Sequence, residues 1–358
     1  MGRKPGAMPH GVQIARGPVL PTNIFFLDHV RWLRWAAREH GVEVLIELES
    51  MRAFLRKGAL HWVLTPQFLT QIDGRQSYVR TFSDTSTHFA GWRPEATQVS
   101  WPASKHKLVF KRAAAGLGIA VPEFALDDQQ EMKDVVVKRA VGSFGEHVYG
   151  PFRSSAERPL QVEQGEYYER FIEGELLKVW YWGDRAVGLE CDPMPTVVGD
   201  GKSTLNELIL MRLTGFGLAE QRIARTIERF KTVVAYDGYT LADILPAGQR
   251  QRAEFRYGSD LMQRPERKIV DLRQDVAAEW QALVSMAPLL HQLLPADLPV
   301  PVLYAIDAVR DEQGRIFVLE MNSNPFGNPL VYRLMLQSLL SRRAPISPAV
   351  EAVRSSIN

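Results

Sequence analysis

The run VPVLYAIDAVRDEQGRIFVLEMNSNPFGNP, residues 300–329, constrains this chain more than any other segment. Two apolar stretches flank Asp311, Glu312, Gln313 and Gly314, which is the pattern of an antiparallel hairpin. With Arg310 facing Arg315 across a four-residue turn, Asp307 faces Val318. Side-chain alternation then sends Asp307, Val318, Glu320 and Asn322 to one face, and Ile306, Ala308, Phe317, Leu319 and Met321 to the other. One face is core, and the other carries three oxygen-bearing side chains. Asp307 and Glu320 stand on a diagonal, about 7–8 Å apart, a span that a shared cation closes. Two carboxylates and an amide, with no His or Cys beside them, suit Mg²⁺ or Mn²⁺ and disfavour zinc. The plainer reading of such a pair, two acids facing solvent, is the commoner one for isolated carboxylates.

A second group bears on that choice. Lys138 ends the β-branched strand DVVVK, next to Gly142, Ser143, Phe144 and Gly145, whose backbone N–H groups can cradle phosphate. Lys107 opens the helical stretch that ends at Gly118 and offers a second cation. The segment VVGDGKST imitates a phosphate-binding P-loop, but that motif requires glycine where this chain has Thr196. No close histidine metal pair and no G-x-S-x-G elbow occurs, and the single Cys191 reads as a structural thiol.

The 358 residues, 46% hydrophobic and 23% charged, bury a sizeable core and predict two or three domains. A formal net charge of +2, without a long block of either sign, argues against nucleic acid or a membrane surface as partner and for small molecules. No apolar run reaches the roughly 18–20 residues that a bilayer demands. The start reads as a flexible lead-in over 1–22, and the expected location is cytoplasmic. A small α/β domain is expected over 23–104, from an amphipathic helix followed by strands, and a second domain over 105–358. EYYERFIEGELLKVWYWGDRAVGLECD predicts a hairpin turning at Gly183 and Asp184, and Thr204 with Glu207 predicts a capped helix start. Residues 215–268 show no firm period. No internal repeat is present.

Lysine, glycine loop, acidic segment and carboxylate hairpin follow one another in an order that resembles the ATP-grasp superfamily. The resemblance rests on KHKLVFKRAAAGLGIAVP, VVVKRAVGSFGEHV, YERFIEGELLKVW, VVGDGKSTLNELI and IDAVRDEQGRIFVLEMNSNP, between about Lys105 and Pro329. It is most similar to the ligase domains of cyanophycin synthetase and of bifunctional glutathione synthetases, and more distantly to D-alanine–D-alanine ligase. The resemblance implies an α+β fold of the ATP-grasp type behind a small N-terminal α/β domain, with a lid subdomain over about 120–170 and a catalytic subdomain over about 171–358. It implies that Lys107 and Lys138 bind ATP phosphates beneath a loop made by Gly142, Ser143 and Gly145. Glu169 would meet the adenine amino group, the Phe171 and Ile172 backbone would form the hinge, and Glu175 would reach the ribose. Asp307, Glu320 and Asn322 would hold two Mg²⁺ ions, with Mn²⁺ as a substitute. Lys178 stands where relatives usually have Arg, a point charge in place of a forked phosphate donor.

The implied reaction is amide formation between a carboxylate and an amine through an acylphosphate, releasing ADP and phosphate, on an amino acid or short peptide. Lys138, Asn322 and Arg256 are the candidate catalytic residues. Arg256 is chosen for its turn-like setting beside Tyr257 and Gly258, ahead of Arg222, Arg225 and Arg229, whose helical spacing equally describes a solvated face. FGNPLVYRL lacks the histidine-containing continuation of the closest relatives, which implies a different acceptor site. The run Arg80 to Trp101 reads either as a substrate entrance or as packing. A non-catalytic nucleotide-binding scaffold and an ATP-grasp kinase or carboxylase stay open as rivals, and so does assembly into a homo-oligomer.

Overall fold

The computed structural model describes residues 21–341, apart from 73–74, 98, 143–146, 216–217, 219, 257–260, 262–267, 274–275 and 299. A mixed α+β architecture results, and every strand pairing in it is antiparallel. Helix α1 (Pro21–His40) begins within the last two residues of the expected lead-in and is followed by β1 (Glu43–Ile46), β2 (Ala53–Lys57), β3 (Leu60–Ile72), β4 (Arg75–Val79) and β5 (Ser86–Pro94). These strands form one sheet in the order β1-β2-β3-β4, with β5 on the other edge of β3. Alternation along β3 splits its residues. Leu64 and Phe68 enter an apolar core with Leu33, Ala36 and Ala37 of α1, whereas Thr65 and Gln67 face the other way.

The short α2 (Pro102–Lys105) and then α3 (Lys107–Gly116) lead to a second sheet of β6 (Phe124–Ala125), β7 (Lys133–Arg139), β8 (Val148–Ser154) and β9 (Glu166–Arg170), ordered β6-β9-β7-β8. Val135, Val136 and Val137 are all buried, because β7 is covered on both faces: Val136 packs with Phe171 and Phe255, and Val135 and Val137 with Tyr168. β10 (Glu175–Trp182) and β11 (Arg185–Asp192) make the hairpin expected at Gly183, and β12 (Thr196–Val198) follows. Thr204 caps α4 (Leu205–Thr214) as its spacing predicts: its hydroxyl accepts from the Glu207 N–H at 3.2 Å, and the Glu207 carboxylate accepts from the Thr204 N–H at 2.8 Å.

Where the sequence showed no firm period the chain forms α5 (Glu220–Tyr236), whose Phe230, Val233 and Val234 are buried. β13 (Arg250–Arg252), β14 (Lys268–Asp271), α6 (Gln281–His291), β15 (Leu303–Arg310), β16 (Ile316–Ser323) and α7 (Val331–Ser341) complete the described chain. The third and central sheet runs β14-β11-β10-β15-β16. One of its faces packs Leu177, Val179, Ile306, Ala308 and Val318 against Phe110 of α3 and Leu283 and Leu290 of α6. Its other face contributes Trp180, Trp182, Leu303 and Ala305 to the core shared by α1, α7 and the N-terminal sheet. Each aliphatic side chain fully buried there contributes about 1.5–3 kcal/mol. That shared core packs the N-terminal sheet on the face of the central sheet that also bears Lys178 and Asp307. Cys191 is in no disulfide and is buried in the first core.

Candidate active site

The hairpin of β15 and β16 forms, with two corrections to its register. Arg310 lies opposite Ile316 and not Arg315, because Asp311 closes a longer turn through its backbone N–H to the Arg315 carbonyl. Ala308 lies opposite Val318 and Asp307 opposite Glu320, so Leu319 is an extra residue on β16. The bulge restores the acids to one face after the slipped turn had displaced them, and it places them directly across from one another instead of on a diagonal. Val318, expected beside the acids, joins Ile306, Ala308 and Met321 in the core.

On the other side of β15, Lys178 of β10 is the register partner of Asp307, and its ammonium donates to Asp307 Oδ1 at 2.8 Å. Lys178, Asp307 and Glu320 thus form a row across three neighbouring strands. Asn322 joins them, its amide nitrogen donating to Asp307 Oδ2 at 3.1 Å. Among the described residues no cluster of three or more His, Cys, Asp or Glu exists. The donor set here is two carboxylates and one amide, whose chemistry fits a hard divalent cation.

The cations arrive from above this row. The Lys107 backbone N–H donates to the Ala140 carbonyl at 2.8 Å, which fixes the start of α3 against the end of β7. From there the Lys107 ammonium reaches the Gly142 carbonyl at 2.7 Å and Glu320 Oε2 at 3.1 Å. On the second sheet Lys138 pairs in register with Tyr167, and Val136 with Glu169, so Lys138, Tyr167 and Glu169 share a face. Lys138 donates to Glu169 Oε1 at 2.5 Å, and the Tyr167 hydroxyl lies 3.3 Å from Oε2. Lys111, one helical turn beyond Lys107, completes the group at 2.7 Å from Glu169 Oε2, with no exposed surface of its own.

These groups hold one another's charges. Burial alone would raise Glu320, but Lys107, then Lys138 and the hydrogen bond with Asp307, hold it down to about 2. Asp307 is pushed up by burial and by the Glu320 charge, against the pull of Lys178. Lys178 is itself raised, because Asp307 outweighs the burial that would lower it. Burial also raises Glu169, yet Lys111 and Lys138 together bring it below its ordinary value, while burial lowers Lys111. Two carboxylates sharing one row, one driven down and the other up, are the electrostatic mark of a place where positive charge is wanted.

The remaining expected residues fall as follows. Glu175 is held by Arg310, through Nε at 2.9 Å and through Nη2, and Arg310 also reaches Glu279 at 3.2 Å. Phe171 sends its ring into the apolar cluster with Val136 and Phe255 and its N–H to the Asp134 carbonyl, and Ile172 follows it in the link from β9 to β10. Arg256 is clamped by both oxygens of the buried Glu254, at 2.8 and 2.7 Å, and donates to the Val148 carbonyl at 3.2 Å. Gly142 has φ +150, a conformation that glycine adopts freely. Ser143 and Gly145 lie outside the described residues, as do Tyr257 and Gly258. Arg222, Arg225 and Arg229 lie on the exposed side of α5.

No protein-family model matches the chain, and no curated protein does. Solved structures do. A bifunctional glutathione synthetase from Pasteurella multocida is similar at 13% identity, covering 89% of this chain and 44% of its own, with a TM-score of 0.39. An L-amino acid ligase from Bacillus licheniformis is similar at 14%, covering 67% and 50%, with a TM-score of 0.36. A D-alanine–D-alanine ligase from Bacillus anthracis complexed with ATP is similar at 12%, covering 67% and 65%, with a TM-score of 0.32. The chain therefore spans 44–65% of the length of these structures.

Sequence reasoning missed Lys111 and three residues of the N-terminal sheet. Lys111 had a signal, its four-residue spacing from Lys107 on one helix. Tyr78, Gln67 and Arg93 had none. The Tyr78 hydroxyl is raised by burial, against the nearby charges of Lys178 and Arg93 and a hydrogen bond with the Phe326 backbone, which places it beside the acidic row. Within Arg80 to Trp101, Phe89, Trp92 and Trp101 are packing, as one of the two readings had it. No helix among the described residues is long and apolar enough to cross a membrane.

Proposed function

We propose that the chain is an ATP-dependent carboxylate–amine ligase of the ATP-grasp type, acting on an amino acid or short peptide. The observation that carries the reading is the meeting of two lysines from separate elements, Lys107 on α3 and Lys138 on β7, with the Asp307–Glu320 row of the central sheet. The order of the five sequence motifs supports it.

In this reading Lys107 and Lys138 take the phosphate oxygens of ATP, with Gly142, Ser143 and Gly145 covering them. Glu169 accepts from the adenine amino group, the Phe171 and Ile172 backbone lines the base, and Glu175, oriented by Arg310, meets the ribose. Asp307, Glu320 and Asn322 hold two Mg²⁺ ions, or Mn²⁺ in their place, which offset charge on the transferring phosphoryl group. Lys178 neutralises Asp307 from the flank. Arg256 serves the acylphosphate once its hold on Glu254 is exchanged for a ligand oxygen. A substrate carboxylate oxygen bonds to the γ-phosphorus as the bridging bond to ADP breaks. The amine nitrogen then bonds to the acyl carbon, phosphate leaves, and the nitrogen gives up a proton. Placement and electrostatics do most of the chemistry, because a carboxylate is a poor acyl donor until its leaving group becomes phosphate.

Purified protein with Mg-ATP should release ADP and phosphate only when a carboxylate and an amine are both supplied, and Lys138→Ala and Glu320→Ala should each lower turnover by about 10³ or more. A stable phosphorylated or carboxylated product would convert the reading to a kinase or carboxylase. Mg-ATP binding without hydrolysis under any acceptor would convert it to a scaffold.

A further inference from the structure

Arg93 of β5 is 1% exposed, and among the described residues no carboxylate pairs with it. Burial lowers it to about 10, so it is charged at neutral pH, and the groups that act on it in return are the Tyr78 and Tyr332 phenols. One of its nitrogens, Nη2, donates to the Pro325 carbonyl, whereas Nε and Nη1 are buried without a partner. A buried guanidinium held by one neutral carbonyl works against folding, because no counter-ion returns the solvation it gives up. An apolar side chain of similar length would serve the core better. What the guanidinium does provide is a grip on one backbone atom.

That atom belongs to the turn after β16, whose neighbouring groups are gripped as well. Gln67 of β3 donates through Nε2 to the Asn324 carbonyl at 3.3 Å, and Trp180 of β10 donates through Nε1 to the Phe326 carbonyl at 2.7 Å. Three consecutive carbonyls, those of Asn324, Pro325 and Phe326, thus each take a side-chain donor from a different strand. The Gly327 N–H donates to the Ala90 carbonyl of β5 at 2.8 Å, and a Cβ on Gly327 would stand 2.5 Å from that oxygen, so glycine alone allows the approach. Asn324 sits at φ +49, a left-handed conformation that asparagine tolerates, and donates through Nδ2 to the Val99 carbonyl at 2.9 Å. The shape of this turn is imposed from outside it. β16 is the edge strand of the central sheet and pairs with β15 alone, and strand ends at an edge open more readily than central ones. Asn322 is its next-to-last residue, and the Asn322 amide nitrogen donates to Asp307 Oδ2 at 3.1 Å.

We propose that Arg93 is a positioning residue for the acidic row: by holding the Pro325 carbonyl it keeps the end of β16 in place, and with it the Asn322 amide against Asp307. It acts through the turn and touches neither nucleotide nor cation. The assignment deepens the ligase reading and rests on it for the cation, though not for the anchoring of the turn. A buried charge kept against stability, next to a site that needs fixed geometry, sets stability and function in opposition at one residue.

Arg93→Met and Arg93→Lys in the full chain test it by three measurements. Urea denaturation reads stability. The Trp180 indole N–H resonance reads the turn, because that proton lies on the Phe326 carbonyl. Electron paramagnetic resonance of Mn²⁺ with a non-hydrolysable ATP analogue reads the acidic row. In Arg93→Met the urea midpoint should not fall, since the neutral carbonyl left behind is less costly than the charge removed. The Trp180 resonance should shift, and the Mn²⁺ dissociation constant should rise fivefold or more, with affinity for the analogue alone unchanged within twofold. Arg93→Lys keeps a donor for the Pro325 carbonyl and should recover most of the Mn²⁺ affinity. A lowered urea midpoint or failure to fold in Arg93→Met makes Arg93 a structural residue and overturns the proposal. An unmoved Trp180 resonance or an unchanged Mn²⁺ dissociation constant in that variant overturns it too. Failure of the wild type to bind Mn²⁺ with the analogue overturns the ligase reading, and the Trp180 resonance then decides the anchoring of the turn by itself.

Discussion

Lys138 has two demands on it, and Lys111 is the residue that reconciles them. Without nucleotide, Lys138 lies 2.5 Å from Glu169 Oε1 and Lys111 lies 2.7 Å from Glu169 Oε2. If Lys138 turns to a phosphate oxygen, Glu169 keeps Lys111 and is never left as a lone buried charge. At these distances each attraction amounts to about 6 kcal/mol at an effective dielectric near 20, and each ion's desolvation costs several kcal/mol in return. Lys111→Met gives up one attraction together with one desolvation cost and the repulsion between the two lysines, so folding stability should change by no more than about 1 kcal/mol. Nucleotide binding should suffer more, because freeing Lys138 then isolates Glu169 at 1% exposure. Breaking a buried pair costs about 3–5 kcal/mol, and if about half of that is recovered from the ligand, the Mg-ATP dissociation constant rises about 10- to 70-fold. Glu169→Gln should do the reverse to stability, stranding two ammonium groups at about 3–5 kcal/mol. Calorimetry with Mg-ATP and urea denaturation followed by tryptophan fluorescence read the two effects separately. An unchanged dissociation constant in Lys111→Met, or equal destabilisation by the two variants, would refute the reasoning.

Other consequences follow from single contacts. The Asp200 carboxyl is brought down to about 2, chiefly by the Ser203 N–H and then by the Ser203 hydroxyl and the Lys202 N–H. Its folded value lies below its unfolded one, so its contribution is present above the ordinary aspartate range and is lost as pH falls through about 2; carbon NMR should find the midpoint there, and a midpoint near 4 would sink the assignment. Gly174 joins β9 to β10 at φ +157, and a Cβ there would stand 2.0 Å from the Arg310 carbonyl oxygen. Gly174→Ala should destabilise by about 3 kcal/mol or more, seen as a lowered urea midpoint, and an unchanged midpoint would show that the crossing is not tight. Thr204→Ala, which removes half of a reciprocal cap, should cost about 1 kcal/mol by the same measurement, and no loss would mean the cap is idle.

What the sequence disclosed is what local rules govern. The hairpin at Gly183, the cap at Thr204, the strand ending in Lys138 and the helix opening at Lys107 all depend on residues within a few positions of one another, and all form as expected. Alternation went wrong between the turn and Leu319, because a five-residue turn slips the register and a bulge, which adds a residue without a composition signal, restores it only beyond Leu319. α5 escaped notice because its buried face is narrow, four residues among arginines and glutamates. Lys111 sat in plain view at helical spacing, but nothing nearby says that a lysine's burial is compensated by a carboxylate 58 residues away on another sheet.

The same limit explains why the polar face of the N-terminal sheet was invisible. Arg93, Gln67 and Asn324 come from β5, β3 and the turn after β16, and the core shared by α1, α7 and the face of the central sheet that bears Lys178 and Asp307 brings them together. That core is apolar and close-packed, so it fixes the separation of the two sheets and leaves the polar face little freedom to relax. The four lysines and three carboxylates of the candidate site pair among themselves within the second sheet, within the central sheet, and from α3 to each of them. In the proposed reading a polyphosphate entering there would have to displace those pairs one by one. Nucleotide recognition would therefore be an exchange of ion pairs, in which each lysine trades a protein carboxylate for a phosphate oxygen and the net gain is smaller than the gross attraction.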